Sequence, residues 1–257
     1  MTDAEARGWQ RFDADARSVA WASAARRVAE TAIADPANAK WLRHGGTWFA
    51  GVNILPNDPG GGIGGTPLAG PAIDALAASG DLPAAWDAAQ VSVVYPGYPR
   101  RDPGETDAAA RYRATRDAAH VDGLLPNGPD RRRRLGEAHG FILGLPLTQA
   151  APEASPLVVW EGSHRVIGAE LAGALSPHPP DLWPQIDITD AYHAARRACF
   201  ETCRRVPLHA RPGEALLLHR HILHGIAPWA PGATADPVGR MVAYFRPEMA
   251  VERWVGG

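Results

Sequence analysis

In His120-Val121-Asp122 an imidazole and a carboxylate stand two positions apart, and in extended chain residues two apart point to the same face. Such a pair can hold one metal ion from two sides. A third ligand has to come from elsewhere, and His219-Arg220-His221-Ile222-Leu223-His224-Gly225 offers three candidates. Two histidines and one carboxylate on one side of a metal leave the opposite positions open, which is the donor set of non-haem Fe(II) oxygenases. Imidazole suits Fe(II), the carboxylate offsets part of its charge, and the open positions admit a bidentate co-substrate and O2. An H-x-D pair is a weak signal by itself in a chain of ten histidines; a strand histidine followed by an Asp-Gly turn reads the same way. Arg240 adds context. It precedes the apolar run Met241-Val242-Ala243-Tyr244-Phe245, so its guanidinium is expected in a buried neighbourhood where it needs an anionic partner. Its fork matches the far carboxylate of a dicarboxylate.

These residues must be positioned by strands. Thr47–Leu55, Gln90–Tyr95, His139–Leu147 and Pro156–Trp160 read as buried strands, and Val206–His209, Ala215–Leu218, Leu223–Ala227 and Arg240–Phe245 form a second series. Arg211-Pro212-Gly213-Glu214 is a tight turn. Helices are expected from about Trp21, where Trp21, Ala25, Val28 and Ala32 form one stripe ending before Pro36, and over Pro71–Ser79. The stretch from about 166 to 204 is also helical in character, with Asp187-Ile188-Thr189-Asp190 as an N-cap signal. Pro126–Arg134 reads as a polar loop. The glycine-rich segment Pro59–Gly65 formally contains G-x-G-x-x-G, but no βαβ unit surrounds it; it reads as a loop, one use of which is a lid. With no repeat and no linker, residues 1–257 are expected to form one domain, with a helical N-terminal segment (about 1–46) and a helical insertion (about 166–204).

Composition narrows the partners. With 26 basic against 28 acidic residues there is no bias toward nucleic acid or a membrane surface, and no apolar run reaches the length of a membrane helix. Met1-Thr2-Asp3-Ala4-Glu5 is polar, without the apolar region of a secretory signal. Two cysteines, Cys199 and Cys203, make no disulfide framework, so a reducing cytoplasm is the expected setting. The 27 glycines and 24 prolines suit a chain of short strands and many turns. Asp130-Arg131-Arg132-Arg133-Arg134 either grips an anionic substrate or forms a solvated loop. Tyr95, Tyr98 and Asn53 sit at strand ends where they could line a pocket, and His139 either supports the site or begins its strand. Cys199 and Cys203 share a helix face and read as packing residues.

Taken together, His120-Val121-Asp122, the run Ser155-Pro156-Leu157-Val158-Val159-Trp160-Glu161-Gly162-Ser163-His164-Arg165, Pro212-Gly213-Glu214-Ala215, His224-Gly225 and Arg240 resemble the phytanoyl-CoA dioxygenase-like branch of the Fe(II)/2-oxoglutarate-dependent oxygenases. The resemblance spans about residues 119–247. It implies a mainly β fold with flanking helices, a double-stranded β-helix (a cupin-like jelly roll). It implies His120, Asp122 and His224 as iron ligands, Arg240 on the distal carboxylate of 2-oxoglutarate with Arg246 as the alternative, and Fe(II), 2-oxoglutarate and O2 as cofactor and co-substrates. His219 and His221 are then left to pack or to face solvent. The implied reaction is hydroxylation of a small molecule with release of succinate and CO2. Related halogenases replace the carboxylate ligand by a small residue; Asp122 is present here. Two other readings of the same fold are a cupin-like metalloenzyme that does not use 2-oxoglutarate and a non-catalytic binding module.

Overall fold

The protein is described by a computed structural model over residues 3–256; Met1, Thr2 and Gly257 lie outside the described residues, and with them the start of the polar N-terminal stretch. Its strands are β1 (Trp9–Phe12), β2 (Leu42–Arg43), β3 (Trp48–Gly51), β4 (Gln90–Val94), β5 (Leu124–Asn127), β6 (Arg132–Leu135), β7 (Phe141–Pro146), β8 (Leu157–Glu161), β9 (Arg204–Leu208), β10 (Ala215–His219), β11 (His224–Ile226) and β12 (Arg240–Phe245). The helices are α1 (Asp3–Arg7), α2 (Ala16–Ala34), α3 (Pro71–Ser79), α4 (Asp107–Arg116), α5 (Ser163–Leu175), α6 (Thr189–Thr202) and α7 (Val251–Gly256).

Seven strands form one sheet in the order β1-β10-β7-β12-β4-β3-β2, and three form a smaller one in the order β11-β8-β9. Every neighbouring pair is antiparallel. The small sheet continues past β11 through the bridge between His120 and His224. The two sheets face one another as a double-stranded β-helix, the class expected. Between them lie Ile142, Leu157, Val159, Leu216, Leu218, Val242 and Tyr244. The residues that alternate with these point outward. Leu143, Leu145, Met241, Ala243 and Phe245 pack under Trp21, Ala25 and Ala29 of α2 and Leu76 of α3. Val158 and Trp160 pack under Ile167, Leu171, Tyr192 and Cys199 of α5 and α6. Helices thus bury the outer face of both sheets, which is why the strands read as continuous apolar runs rather than as alternating ones.

Local signals explain most of the element boundaries. Helix α2 begins at Ala16, five residues before the apolar stripe, because Asp15 caps it: the Asp15 carboxylate accepts from the N–H groups of Arg17 and Ser18, and Ser18 returns a bond to the Asp15 N–H. Helix α6 starts at Thr189, where the Asp187 carboxylate accepts the Thr189 N–H at 2.9 Å. It ends at Thr202 rather than near Arg204 because Cys203 is extended and feeds β9. The polar stretch Pro126–Arg134 is not a plain loop: Leu124–Asn127 and Arg132–Leu135 pair as a hairpin. The segment Pro59–Gly65 is no lid. Trp21 donates its indole N–H to the Gly61 carbonyl at 2.8 Å, Asp58 accepts the N–H groups of Gly60 and Gly62, and Ile63 is buried in the core beneath α2.

Candidate metal centre

The chain approaches His120 through a tight turn. Asp117 and Ala118 both take left-handed backbone conformations, at φ 53° and 52°, an uncommon pair for residues with side chains. Buried Asp117 holds the turn: its carboxylate accepts two bonds from Arg205 on β9, at 2.7 and 2.8 Å, and its carbonyl accepts the Ile226 N–H at 3.0 Å. The backbone on either side of His120 is then gripped by two phenols. Tyr112 on α4 donates to the Ala119 carbonyl at 2.7 Å, and Tyr192 on α6 accepts the Val121 N–H at 3.2 Å.

His120 and His224 exchange both backbone hydrogen bonds, at 2.8 and 3.0 Å, so they stand directly opposite each other. Their ring centroids are 4.6 Å apart. Asp122, two positions along extended chain, falls on the same face, with Oδ1 3.2 Å from His120 Nε2 and 3.7 Å from His224 Nε2. One ligand atom from each of the three lies within 4.8 Å of the others, and this is the one such group found among the described residues. In both imidazoles Nδ1 lies 3.0 Å from a backbone carbonyl, that of Ala118 for His120 and that of Ile222 for His224. A proton on each Nδ1 satisfies those carbonyls and turns each Nε2 toward Asp122, where it can coordinate a metal in place of a proton. Burial raises the pKa of Asp122, but the His120 hydrogen bond and the charges of His224, His120 and Arg246 outweigh it and hold the carboxyl well below its usual range. Burial pushes His224 down to about 4.

Gly225 is required by the same turn, since a Cβ there would lie 2.1 Å from the Asp117 carbonyl oxygen. On the other side, Ser163 Oγ accepts the Leu223 N–H at 2.8 Å, and the Trp160 N–H donates to the Leu223 carbonyl at 3.0 Å. The Gly-Ser-His run is therefore a support for the strand that carries His224.

The other expected residues divide clearly. Arg240, Val242 and Tyr244 share the inner face of β12, and Arg240 lies at the end away from the three ligands. It lines a pocket of about 10 Å³ with Thr148, His209, Leu216 and Tyr244. Its Nη1 is buried and has no hydrogen-bond partner among the described residues, and the same is true of the Tyr244 hydroxyl. Arg246 sits at the opposite end of the strand, its Nη1 3.5 Å from Asp122 Oδ2. His219 and His221 are not in the centre. The His221 N–H donates to His219 Nδ1 at 3.1 Å, and the His221 ring lies edge-on to Trp254 at 4.3 Å. His139 supports the site from behind: its Nδ1 is 2.8 Å from the Arg246 carbonyl and its Nε2 2.9 Å from Glu137 Oε2.

In front of the three ligands a cavity of about 400 Å³ opens between the sheets. Its walls include Trp41, Arg43, His44, Trp48, Tyr98 and Arg246. Tyr98 was singled out by its position at a strand end; Tyr95 and Asn53 do not line the cavity. The arginines at 131–134 are not among its walls either. Arg132 bonds to Asp187 and Asp190, and Arg133 donates to the Leu124 carbonyl. Trp41, Arg43, His44 and Trp48 escaped sequence reasoning, because no periodicity or motif ties residues 41–48 to a site on β11.

No family model matches the chain, and no curated protein does. Among solved structures it is similar to the non-heme alpha ketoglutarate dependent carbocyclase SnoK from nogalamycin biosynthesis, at 12% identity and a TM-score of 0.50, over 97% of this chain and 85% of that one. It is also similar to EctD from S. alaskensis with bound Fe, at 16% identity and a TM-score of 0.42, over 95% and 74% of the two chains. AviO1 from Streptomyces viridochromogenes Tue57 follows at 15% identity and 0.43, over 95% and 91%. The likeness to SnoK is one of fold: it sets this chain among proteins built on a double-stranded β-helix.

Proposed function

We propose that the protein is an Fe(II)- and 2-oxoglutarate-dependent dioxygenase that hydroxylates a small molecule, of the phytanoyl-CoA dioxygenase-like kind, working in the cytoplasm as one domain. His120, Asp122 and His224 are the metal ligands in this reading and Arg240 receives the distal carboxylate of 2-oxoglutarate. The observation that carries it is the gathering of two imidazole Nε2 atoms and one carboxylate within 4.8 Å of one another, each imidazole fixed through its own Nδ1. The donor set suits Fe(II). The orphaned Nη1 of Arg240 and the orphaned Tyr244 hydroxyl fit a carboxylate arriving from the metal side, past Tyr244, whose ring lines both the small pocket and the large cavity. The description of SnoK as alpha ketoglutarate dependent points the same way, and both cysteines are free, as a reducing compartment requires. No described helix is long and apolar enough to cross a membrane.

When bound, iron with 2-oxoglutarate and O2 supplies the oxidant that removes a hydrogen atom from a substrate carbon and returns a hydroxyl group. The residues of this chain do the rest. His120, Asp122 and His224 would hold the metal, and the cavity opens in front of them. Arg240 would receive the distal carboxylate of the co-substrate on its forked guanidinium. The apolar inner side chains Ile142, Leu157 and Leu218 keep bulk water from the space between. Arg246 sits too near Asp122 to reach a distal carboxylate and stands at the near end, facing the cavity.

The test is anaerobic addition of Fe(II) and 2-oxoglutarate to the metal-free protein, watching for the weak visible charge-transfer band of the chelate. We expect the band in the wild type, its loss in Asp122→Ala, and a higher 2-oxoglutarate requirement in Arg240→Ala but not in Arg246→Ala. Iron binding without a band would overturn the 2-oxoglutarate assignment in favour of a cupin-like metalloenzyme. Absence of metal binding would overturn the ligand set.

A further inference from the structure

We propose that the cavity in front of the three ligands takes a ring-bearing small-molecule acid, its rings against the wall of His44, Trp48 and Trp41 and its anionic group on Arg43. The inference rests on the reading of this cavity as the substrate site of the oxygenase. It does not depend on which oxidative outcome follows.

The wall is built before any ligand arrives. His44 and Trp48 are stacked, with ring centroids 5.5 Å apart and planes 7° from parallel, and Tyr98 backs both edge-on at 6.0 and 6.5 Å. Each ring is anchored. The Trp48 indole donates to Ser92 Oγ at 3.0 Å, and Asp102 accepts the backbone N–H of His44 at 3.0 Å while lying 3.1 Å from its Nδ1. Ala50, on the same face of β3 as Trp48, and Val52 beyond it continue this wall, and Ile226 of β11 also lines the cavity; none of the three offers a side-chain hydrogen bond. Fixed flat rings flanked by small apolar groups make a surface for a flat apolar body, and stacking geometry adds to the burial.

Charge decides the rest of the ligand's character. Two carboxylates line the cavity, and neither is free: Asp117 is held by Arg205, and Asp122 belongs to the metal. Of the three arginines, Arg113 is paired with Glu105 and Arg246 leans on Asp122. Arg43 has no carboxylate partner among the described residues; its guanidinium lies 5.9 Å from the Trp41 ring. His44 adds no charge at neutral pH, because burial and then the nearby Arg113 push it below its ordinary value. The uncommitted charge of the cavity is therefore positive. An aromatic cage for an ammonium ligand would have the opposite balance. Size limits the body. With the Asp122 end given to metal and co-substrate, the remainder of about 400 Å³ suits one or two rings. Arg131 to Arg134, the basic run that first suggested an anionic ligand, lie elsewhere, and Arg43 takes over that role.

The experiment titrates the full chain with 2-naphthoate, 2-naphthamide and octanoate, once metal-free and once loaded with Ni(II) and 2-oxoglutarate. The readouts are calorimetry and quenching of tryptophan fluorescence. We expect 2-naphthoate to bind best in either form. Arg43→Gln, at an exposed position, should weaken 2-naphthoate about tenfold, the worth of one charge-assisted bond, and leave 2-naphthamide unchanged. Trp48→Leu should weaken both naphthyl probes and leave octanoate unchanged. The proposal is overturned if the amide binds as well as the acid, if octanoate equals 2-naphthoate, if Arg43→Gln changes nothing, or if no probe saturates in either form. If the ranking holds in the metal-free chain while Ni(II) and 2-oxoglutarate fail to bind, the oxygenase reading falls and the ligand class stands.

Discussion

Gly225 shows how closely a single atom is specified at this centre. Its missing Cβ lets the Asp117 carbonyl lie against β11, and the added carbon of an alanine would sit 2.1 Å from that oxygen. Neither partner is a flexible side chain, so the backbone must move. We expect Gly225→Ala to lose stability toward the upper end of about 1–3 kcal/mol, the range for overpacking, and to lose metal binding with it; urea unfolding and metal titration check the two effects. Asp122→Ala separates them. A metal that binds only the folded protein stabilises it by about 2.7 kcal/mol when present at a hundred times its Kd. Wild type should therefore melt higher with Fe(II) or Ni(II) under anaerobic conditions, and Asp122→Ala should not respond. A variant that still gains stability would show the metal bound elsewhere. The same atoms explain what the sequence made legible. His120 and Asp122 could be paired because extended chain has a period of two. His224 could be preferred over His219 and His221 because His224-Gly225 matches the pattern of the family that the chain resembles, and the glycine answers here to the close approach of the Asp117 carbonyl. Arg240 could be named from the apolar run behind it, and its orphaned Nη1 lies where such a run would bury it.

The turn from α4 into the His120 segment carries the cost of this precision. Two successive left-handed residues would not hold alone. The bidentate pair between Asp117 and Arg205 ties the turn to β9, and the phenols of Tyr112 and Tyr192 tie the next residues to α4 and α6. Arg205→Ala strands a carboxylate that is 4% exposed, while the arginine itself is 45% exposed and partly screened. The expected loss is therefore about 1–3 kcal/mol rather than that of a fully buried pair, measured by urea unfolding. Metal affinity should fall in the same variant if the turn positions His120. An unchanged affinity would reduce the pair to a purely structural tie. None of these ties was visible in the sequence, since Asp117 and Arg205 are paired only by the register of β9 on β8 and β8 on β11. The cavity wall was hidden for a similar reason. Arg43, His44 and Trp48 reach the site because the β2–β3 hairpin adds to the edge of β4, and strand order in a sheet leaves no mark on local sequence. Elements with strong local signals were readable: β3, β4, β7 to β12, the Asp187–Thr189 cap and the helix before Pro36; β1 and β2, short and largely exposed within the stretch 1–46 that was expected to be helical, were not. The hairpin of β5 and β6 was not, because its strands are mostly polar and only Leu124 and Leu135 are buried.

Beyond the metal centre, the folded molecule excludes protons from a second set of imidazoles. His164, His219 and His221 lie together where the β10 end, α5 and α7 meet, with His164 and His219 ring centroids 4.8 Å apart and His219 and His221 5.5 Å apart. Burial and then the neighbouring Arg220 push His219 down to about 3. Burial also lowers His164, and burial with the neighbouring His219 and Arg220 holds His221 well below its ordinary value. A histidine whose folded pKa is depressed binds fewer protons folded than unfolded, and stability rises with pH wherever the unfolded chain binds more. The contribution is thus fully present above the ordinary histidine value of about 6.5, and it is lost as pH falls from there toward about 3. Asp187, held down to about 2 by Thr189 and Arg132, acts lower, its share going only below the ordinary aspartate value. Acid unfolding should therefore begin well above the carboxylate range. For the metal-free protein we expect the melting temperature to be level near neutral pH and to fall steadily from pH 6.5 to pH 4. His219→Gln, whose side-chain carbonyl can still accept the His221 N–H, removes one of the suppressed protonations and should flatten that limb while leaving the drop below pH 4 in place. Scanning calorimetry across pH checks it, and a limb of unchanged slope in the variant would remove His219 from the groups responsible for the acid sensitivity.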